Sequence, residues 1–109
     1  MINAYQQALA AARDTEPATR GRVRCWKVLR NPTSVALVVL SYVAGDIDAE
    51  VIWSGMGPAP ELEFLVAGLN ERIGVGAVLV SALYDKYIAS VGASFLVSVL
   101  PQLNASVVH

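Results

Sequence analysis

Residues 35–40, Val-Ala-Leu-Val-Val-Leu, are an unbroken apolar run inside a chain of 109 residues. The run is too short for a typical helix and rich in β-branched side chains. A half-buried strand alternates apolar with polar residues, so a run that is apolar throughout reads as a central strand covered on both faces. Turn residues bound it on each side. Asn31, Pro32 and Thr33 precede it, and Ala44, Gly45 and Asp46 follow it. Proline presets a turn dihedral and pushes its predecessor out of the helical region, while glycine tolerates the tight reversal.

The neighbours across those turns have strand character. Residues 21–30 carry Val23, Cys25, Trp26, Val28 and Leu29 among basic residues. With a period of two, Arg20, Arg22 and Arg24 share one face and Val23 and Cys25 the other. Residues 47–54 place Ile47, Ala49, Val51 and Trp53 on one face, and Asp48, Glu50, Ile52 and Ser54 on the other. The expectation is a three-stranded antiparallel meander.

Helices flank it. Ile2, Tyr5, Leu9 and Ala12 recur at helical spacing on an alanine-rich scaffold, which predicts a helix over residues 2–13 and a connector from Asp14 to Gly21. Pro60 suits a first helical position, Glu61 and Glu63 a helix start, Arg72 a helix end and Gly74 a stop. Leu62, Leu65, Val66, Leu69 and Ile73 form the buried stripe of that helix. Beyond Gly74, a β-rich composition competes with helical spacing at Val80, Leu83, Tyr84, Tyr87, Ile88 and Val91. We read a strand near Gly76–Leu83, a turn at Asp85 and Lys86, and a last strand within Phe95–Leu100. The predicted fold is therefore α+β: an N-terminal helix, the meander, a second helix, then one or two C-terminal strands. It forms a single domain over residues 1–109.

Composition narrows the function classes. Hydrophobic residues are 55% and charged residues 16%, against roughly 25% charged in ordinary soluble domains. Intrinsic disorder is excluded, because ample apolar surface offsets the entropy of ordering. A membrane span is disfavoured: residues 35–45 reach about half of the ~20 a spanning helix needs, and Asp85 and Lys86 interrupt the later apolar stretch. One cysteine and one histidine leave no disulfide and no histidine-cysteine metal site. With no basic, then apolar, leader at the start, a reducing cytoplasmic setting is the expectation. Net charge is −1, but residues 1–33 sum to +4 and residues 34–109 to −5.

The basic segment is the principal candidate contact site. Arg20, Arg22, Arg24, Lys27 and Arg30 supply phosphate contacts and Trp26 a stacking ring in a single-stranded nucleic-acid reading. Against this, the same arginines pair with Asp48 and Glu50 on another strand, or with an acidic patch on a neighbouring subunit. The acidic whole-chain pI favours the second reading. Asp46, Asp48 and Glu50 share a strand face but lack the loop of a calcium site, so no metal is expected. Gly55, Met56 and Gly57 precede a helix whose start carries Glu61 and Glu63, which repel an anion. Cys25 lies in an apolar strand and His109 is terminal, an arrangement unsuited to nucleophilic catalysis. No catalytic residue and no cofactor are expected.

A small sheet with two helices has limited interior, so an apolar patch left for another chain follows from this composition. The functional expectation is a non-enzymatic homo-oligomeric structural or adaptor protein acting through protein–protein contacts. The alternatives are a small acidic chaperone or inhibitor binding a partner protein, a nucleic-acid module using the basic strand, and a small hydrolase or isomerase. The predicted element order resembles that of phage head-to-tail and tail-terminating ring proteins and of small acidic secretion chaperones. This is an analogy of fold, which does not carry function.

Overall fold

The computed structural model describes residues 3–91. Six elements follow in order: α1 (Ala4–Thr19), β1 (Val23–Arg30), β2 (Ser34–Val43), β3 (Asp46–Met56), α2 (Leu62–Ile73) and α3 (Val75–Val91). The strands form one antiparallel sheet in the order β1-β2-β3. Both hairpin turns lie where the sequence places them. In the first, Asn31 Oδ1 accepts from the backbone N–H groups of Thr33 (3.0 Å) and Ser34 (2.8 Å) and from the Ser34 hydroxyl (2.6 Å). That local network replaces backbone pairing lost in the reversal. Asn31→Ala is expected to cost about 1–2 kcal/mol, read from the urea midpoint, since several donors lose one acceptor. In the second turn Ala44 and Gly45 both have positive φ (52° and 89°), as a two-residue hairpin loop of the type I′ class requires.

The central strand is apolar on both sides because both sides are covered. Val35, Leu37 and Val39 point to one face and pack with Ala8 and Ala12 of α1, Trp26 of β1, and Leu62, Leu65, Val66 and Leu69 of α2. Ala36, Val38 and Leu40 point to the other face and pack with Cys25 of β1 and Ala77, Val80 and Tyr84 of α3. The domain therefore has three layers, with two helices on one side of the sheet and α3 on the other. No helix among the described residues is long and apolar enough to cross a membrane.

β3 departs from simple alternation. Leu37 pairs with Trp53 but Val38 pairs with Val51, so Ile52 is an extra residue, a β-bulge. A one-residue insertion reverses the phase of a strand. Ile47, Ala49 and Val51 accordingly pack on the α3 side, whereas Trp53 packs on the α1 side, opposite to the face that period-two reading assigns it. There its indole lies across Gly55, where an added Cβ would come within 2.8 Å of the ring. The Trp53 indole N–H donates to Gln7 Oε1 of α1 at 3.2 Å, linking helix and strand. Gly55 thus makes room for a side chain that seats α1 on the sheet.

Two helix boundaries differ from expectation. α1 starts on a reciprocal cap: Asn3 Oδ1 accepts from Gln6 N–H at 2.9 Å, and Gln6 Oε1 accepts from Asn3 N–H at 3.3 Å. It continues to Thr19, six residues beyond the expected end, with Pro17 inside it. Proline removes one hydrogen bond, but Thr15 and Thr19 hydroxyls donate to Ala11 and Glu16 carbonyls in the same turns. The second difference is larger. The strand expected near Gly76–Leu83 is helix, the first half of α3. The second face of β2 needs a cover, and helical spacing presents Ala77, Val80 and Tyr84 to it together. The strand expected within Phe95–Leu100 lies outside the described residues.

α2 agrees with the sequence closely. Leu62, Leu65, Val66 and Leu69 are buried, and Gly74 ends the helix at φ 83° with its N–H donating to the Asn70 carbonyl at 2.9 Å. After that single residue the chain starts α3, so it passes around the β1 edge from one face of the sheet to the other.

Candidate functional site

The strand period divides the basic segment. Arg24, Trp26, Val28 and Arg30 face α1 and α2, while Cys25, Lys27 and Leu29 face α3. Arg20 and Arg22 lie before the strand and are exposed, and Arg24 is half-buried. Trp26 is 0% exposed, so its ring offers no face for stacking on a base. Its indole N–H and Arg24 Nε are buried without a hydrogen-bond partner among the described residues. Arg30 is held by Glu63 of α2 at 3.0 Å. Lys27 lies 3.9 Å from Asp85 and 5.3 Å from the centre of the Tyr84 ring. The six residues therefore do not converge on one surface.

The expected pairing of the arginines with Asp48 and Glu50 is also absent among the described residues. Arg24 pairs with Ser41, and Ser41 with Asp48, so β2 separates the two charges by about 10 Å. The cations that do find partners take them from helices: Arg30 from α2, Lys27 from α3, and Arg72 from Glu16 of α1 at 3.5 Å. These partly exposed pairs each contribute at most about 1 kcal/mol. The cross-sheet charge split persists, with Arg22 and Arg24 on one edge and Asp46, Asp48 and Glu50 on the other. No group of acidic, histidine or cysteine side chains among the described residues is arranged to hold a metal ion.

What the structure does assemble is a groove between the end of α2 and α3. It has a volume of about 740 Å³ and is lined by Asn70, Glu71, Val78, Ser81, Ala82 and Asp85, among others. Asn70 also seals the edge of β1. Its Oδ1 accepts from the Trp26 N–H at 2.7 Å and its Nδ2 donates to the Trp26 carbonyl at 2.9 Å, as a neighbouring strand would. Sequence reading missed this role, since one asparagine in a helix carries no sign of a partner 44 residues away.

Below the groove, Cys25 and Tyr84 sit between β1 and α3. Burial pushes the Cys25 thiol above its ordinary value near 9.0, with Lys27 opposing and Asp85 adding to the rise. Burial likewise pushes the Tyr84 phenol above 10.0, helped by Asp85. Both groups stay neutral at physiological pH, and a neutral thiol is a poor nucleophile. Each has a folded pKa above its unfolded value, so the stability it contributes is present below about pH 9 and lost as pH rises through the folded values. Urea midpoints are expected to fall between pH 8 and pH 10.5. Over the same range Cys25 should react with a thiol reagent far more slowly in the native protein than in urea. A native rate equal to the unfolded one would contradict this placement.

The outer side of α3 is the most unusual surface. Val75, Val78, Leu79 and Leu83 are 74%, 68%, 56% and 42% exposed, and Ala82 lies among them. Their spacing of three and four residues makes a continuous apolar stripe, while Ala77, Val80 and Tyr84 on the inner side face the sheet. A helix apolar on both sides is normally buried on both sides. No family model, curated protein or solved structure matches this chain.

Proposed function

We propose that this protein is a non-enzymatic, homo-oligomeric structural or adaptor protein that acts through protein–protein contacts. The observation that carries the reading is the two-sided apolar character of α3, whose inner side packs on the sheet while Val75, Val78, Leu79 and Leu83 on its outer side are left in water. Phe64 of α2 and Met56 at the end of β3, 78% and 81% exposed, add apolar surface elsewhere. Solvent-exposed stripes of this kind are stabilised by association, and identical copies carry the same stripe. The nucleic-acid reading loses its stacking ring to the core and has two of its cations engaged by Glu63 and Asp85.

The test is molar mass by light scattering over a dilution series of the full chain. The expected result is a mass at least twice the 11.6 kDa of one copy at micromolar concentration. A single-copy mass at every concentration would overturn the proposal. Binding of a single-stranded oligonucleotide that weakens steeply with salt, and is lost in Arg22→Ala with Arg24→Ala, would replace it with the nucleic-acid reading.

A further inference from the structure

We infer that a second copy docks end-on against the end of the sheet where β1 and β3 begin, about a two-fold axis that runs along β2. This rests on the self-association proposed above and names a surface for it apart from the α3 stripe. Three apolar side chains are exposed at that end: Val23 (45%), Tyr42 (44%) and Val43 (47%). They are neighbours, since Val23 pairs with Tyr42 and Val43 follows directly on β2. Charges of opposite sign flank them. Arg20 and Arg22 lead into β1 on one edge, and Asp46 and Asp48 open β3 on the other, where Asp46 pairs with Val43. All four are exposed, and none forms an ion pair among the described residues. Two strand spacings, about 10 Å, hold the two signs apart within one chain.

A surface of one sign calls for a partner of the other sign, whereas this end carries both signs on opposite edges of an apolar centre, and that matches a second copy of itself. Half a turn about the β2 direction exchanges the two edges of the sheet. The β1 start of each copy then meets the β3 start of the other, and Arg20 and Arg22 approach Asp46 and Asp48 twice, as a two-fold interface requires. The same rotation exchanges the two faces. Tyr42 lies on the α3 face with Leu40, and Val43 on the opposite face, so Tyr42 of each copy meets Val43 of the other. Arg22 and Asp46 approach from opposite faces, a span of one strand thickness that the long arginine stem covers. The other end-on arrangement, β1 against β1, sets like charges together and is disfavoured.

The decisive experiment is light scattering of the full chain at low salt with one edge reversed at a time. Arg20→Glu with Arg22→Glu leaves both edges acidic, and Asp46→Lys with Asp48→Lys leaves both basic. Each of these variants is expected to raise the dissociation constant about tenfold, since attractions on both sides of the axis become repulsions. Their circular dichroism should match the wild type, because all four side chains lie in water. An equal mixture of the two variants should associate to within about threefold of the wild type, since the acidic β1 edge of one copy meets the basic β3 edge of the other. Association regained only on mixing is a contact between copies and not an effect within one chain. An oligomeric wild type whose mass neither variant changes overturns this surface and leaves self-association standing. Variants that dissociate and do not recover on mixing overturn the two-fold arrangement. A wild type of single-copy mass throughout overturns both this inference and the function on which it rests.

Discussion

Trp26→Ala is expected to destabilise the domain by about 3–5 kcal/mol, the range for emptying a large aromatic site from a packed core. Trp26 is wholly buried in the cluster that joins α1, α2 and the inner face of β2. A domain of this size has about 5–15 kcal/mol in total, so the variant stands near the limit of folding at room temperature. Trp26→Phe makes the comparison specific. It removes part of the ring volume but also the buried indole N–H that has no partner, and leaving such a group unpaired costs about 1–3 kcal/mol. We expect Trp26→Phe to stay within about 1.5 kcal/mol of wild type. Urea titration followed by circular dichroism measures both. An alanine variant as stable as wild type would show that the ring lies at the surface, as the nucleic-acid reading requires.

The second large effect concerns Asn70. Its side-chain amide meets both the donor and the acceptor of Trp26 on the outer edge of β1. Asn70→Ala removes two hydrogen bonds and leaves two backbone groups without partners, for an expected loss of about 2–3 kcal/mol. It also uncovers the middle of an edge strand, so faster aggregation on heating is expected. Asn70→Asp gives a sign that a packing effect cannot imitate. A protonated carboxyl reproduces both bonds, whereas a carboxylate accepts from the Trp26 N–H but repels its carbonyl. The folded pKa of the introduced group is therefore raised above the ordinary ~3.9. Its stabilisation is fully present below about pH 4 and lost as pH rises through the folded value. Relative to wild type, the aspartate variant should be weakest at pH 7 and recover on acidification. Equal stability of the two proteins at pH 7 would refute the bridging role.

The parts of this fold that were legible in the sequence are those with strictly local causes. The two hairpin turns follow from Asn31-Pro32-Thr33 and Ala44-Gly45, and the second helix from Pro60, its leucine spacing and Gly74. The central strand followed from its uninterrupted apolar run. The errors have a common origin. Residues 76–83 satisfy strand composition and helix spacing at once, and only the uncovered face of β2 decides between them. Trp53 changes face because of a bulge at Ile52, which depends on pairing with β2 rather than on any residue near it. The candidate site fared less well. A basic run was visible, but the strand period sends Lys27 to one face and Arg24, Trp26 and Arg30 to the other. The stripe on α3 stayed hidden behind the strand reading of the same residues.

By itself the amino-acid order determined the meander, its register-setting turns, the second helix and the excess of apolar surface. Each of these rests on dihedral preferences and side-chain spacing within a few residues. Tertiary structure alone decided that α3 is a helix, that Trp26 belongs to the core, that Asn70 closes the β1 edge, and which apolar side chains remain in water. Those outcomes depend on what lies across a gap in space, and a buried face takes whichever partner covers it best, regardless of distance along the chain.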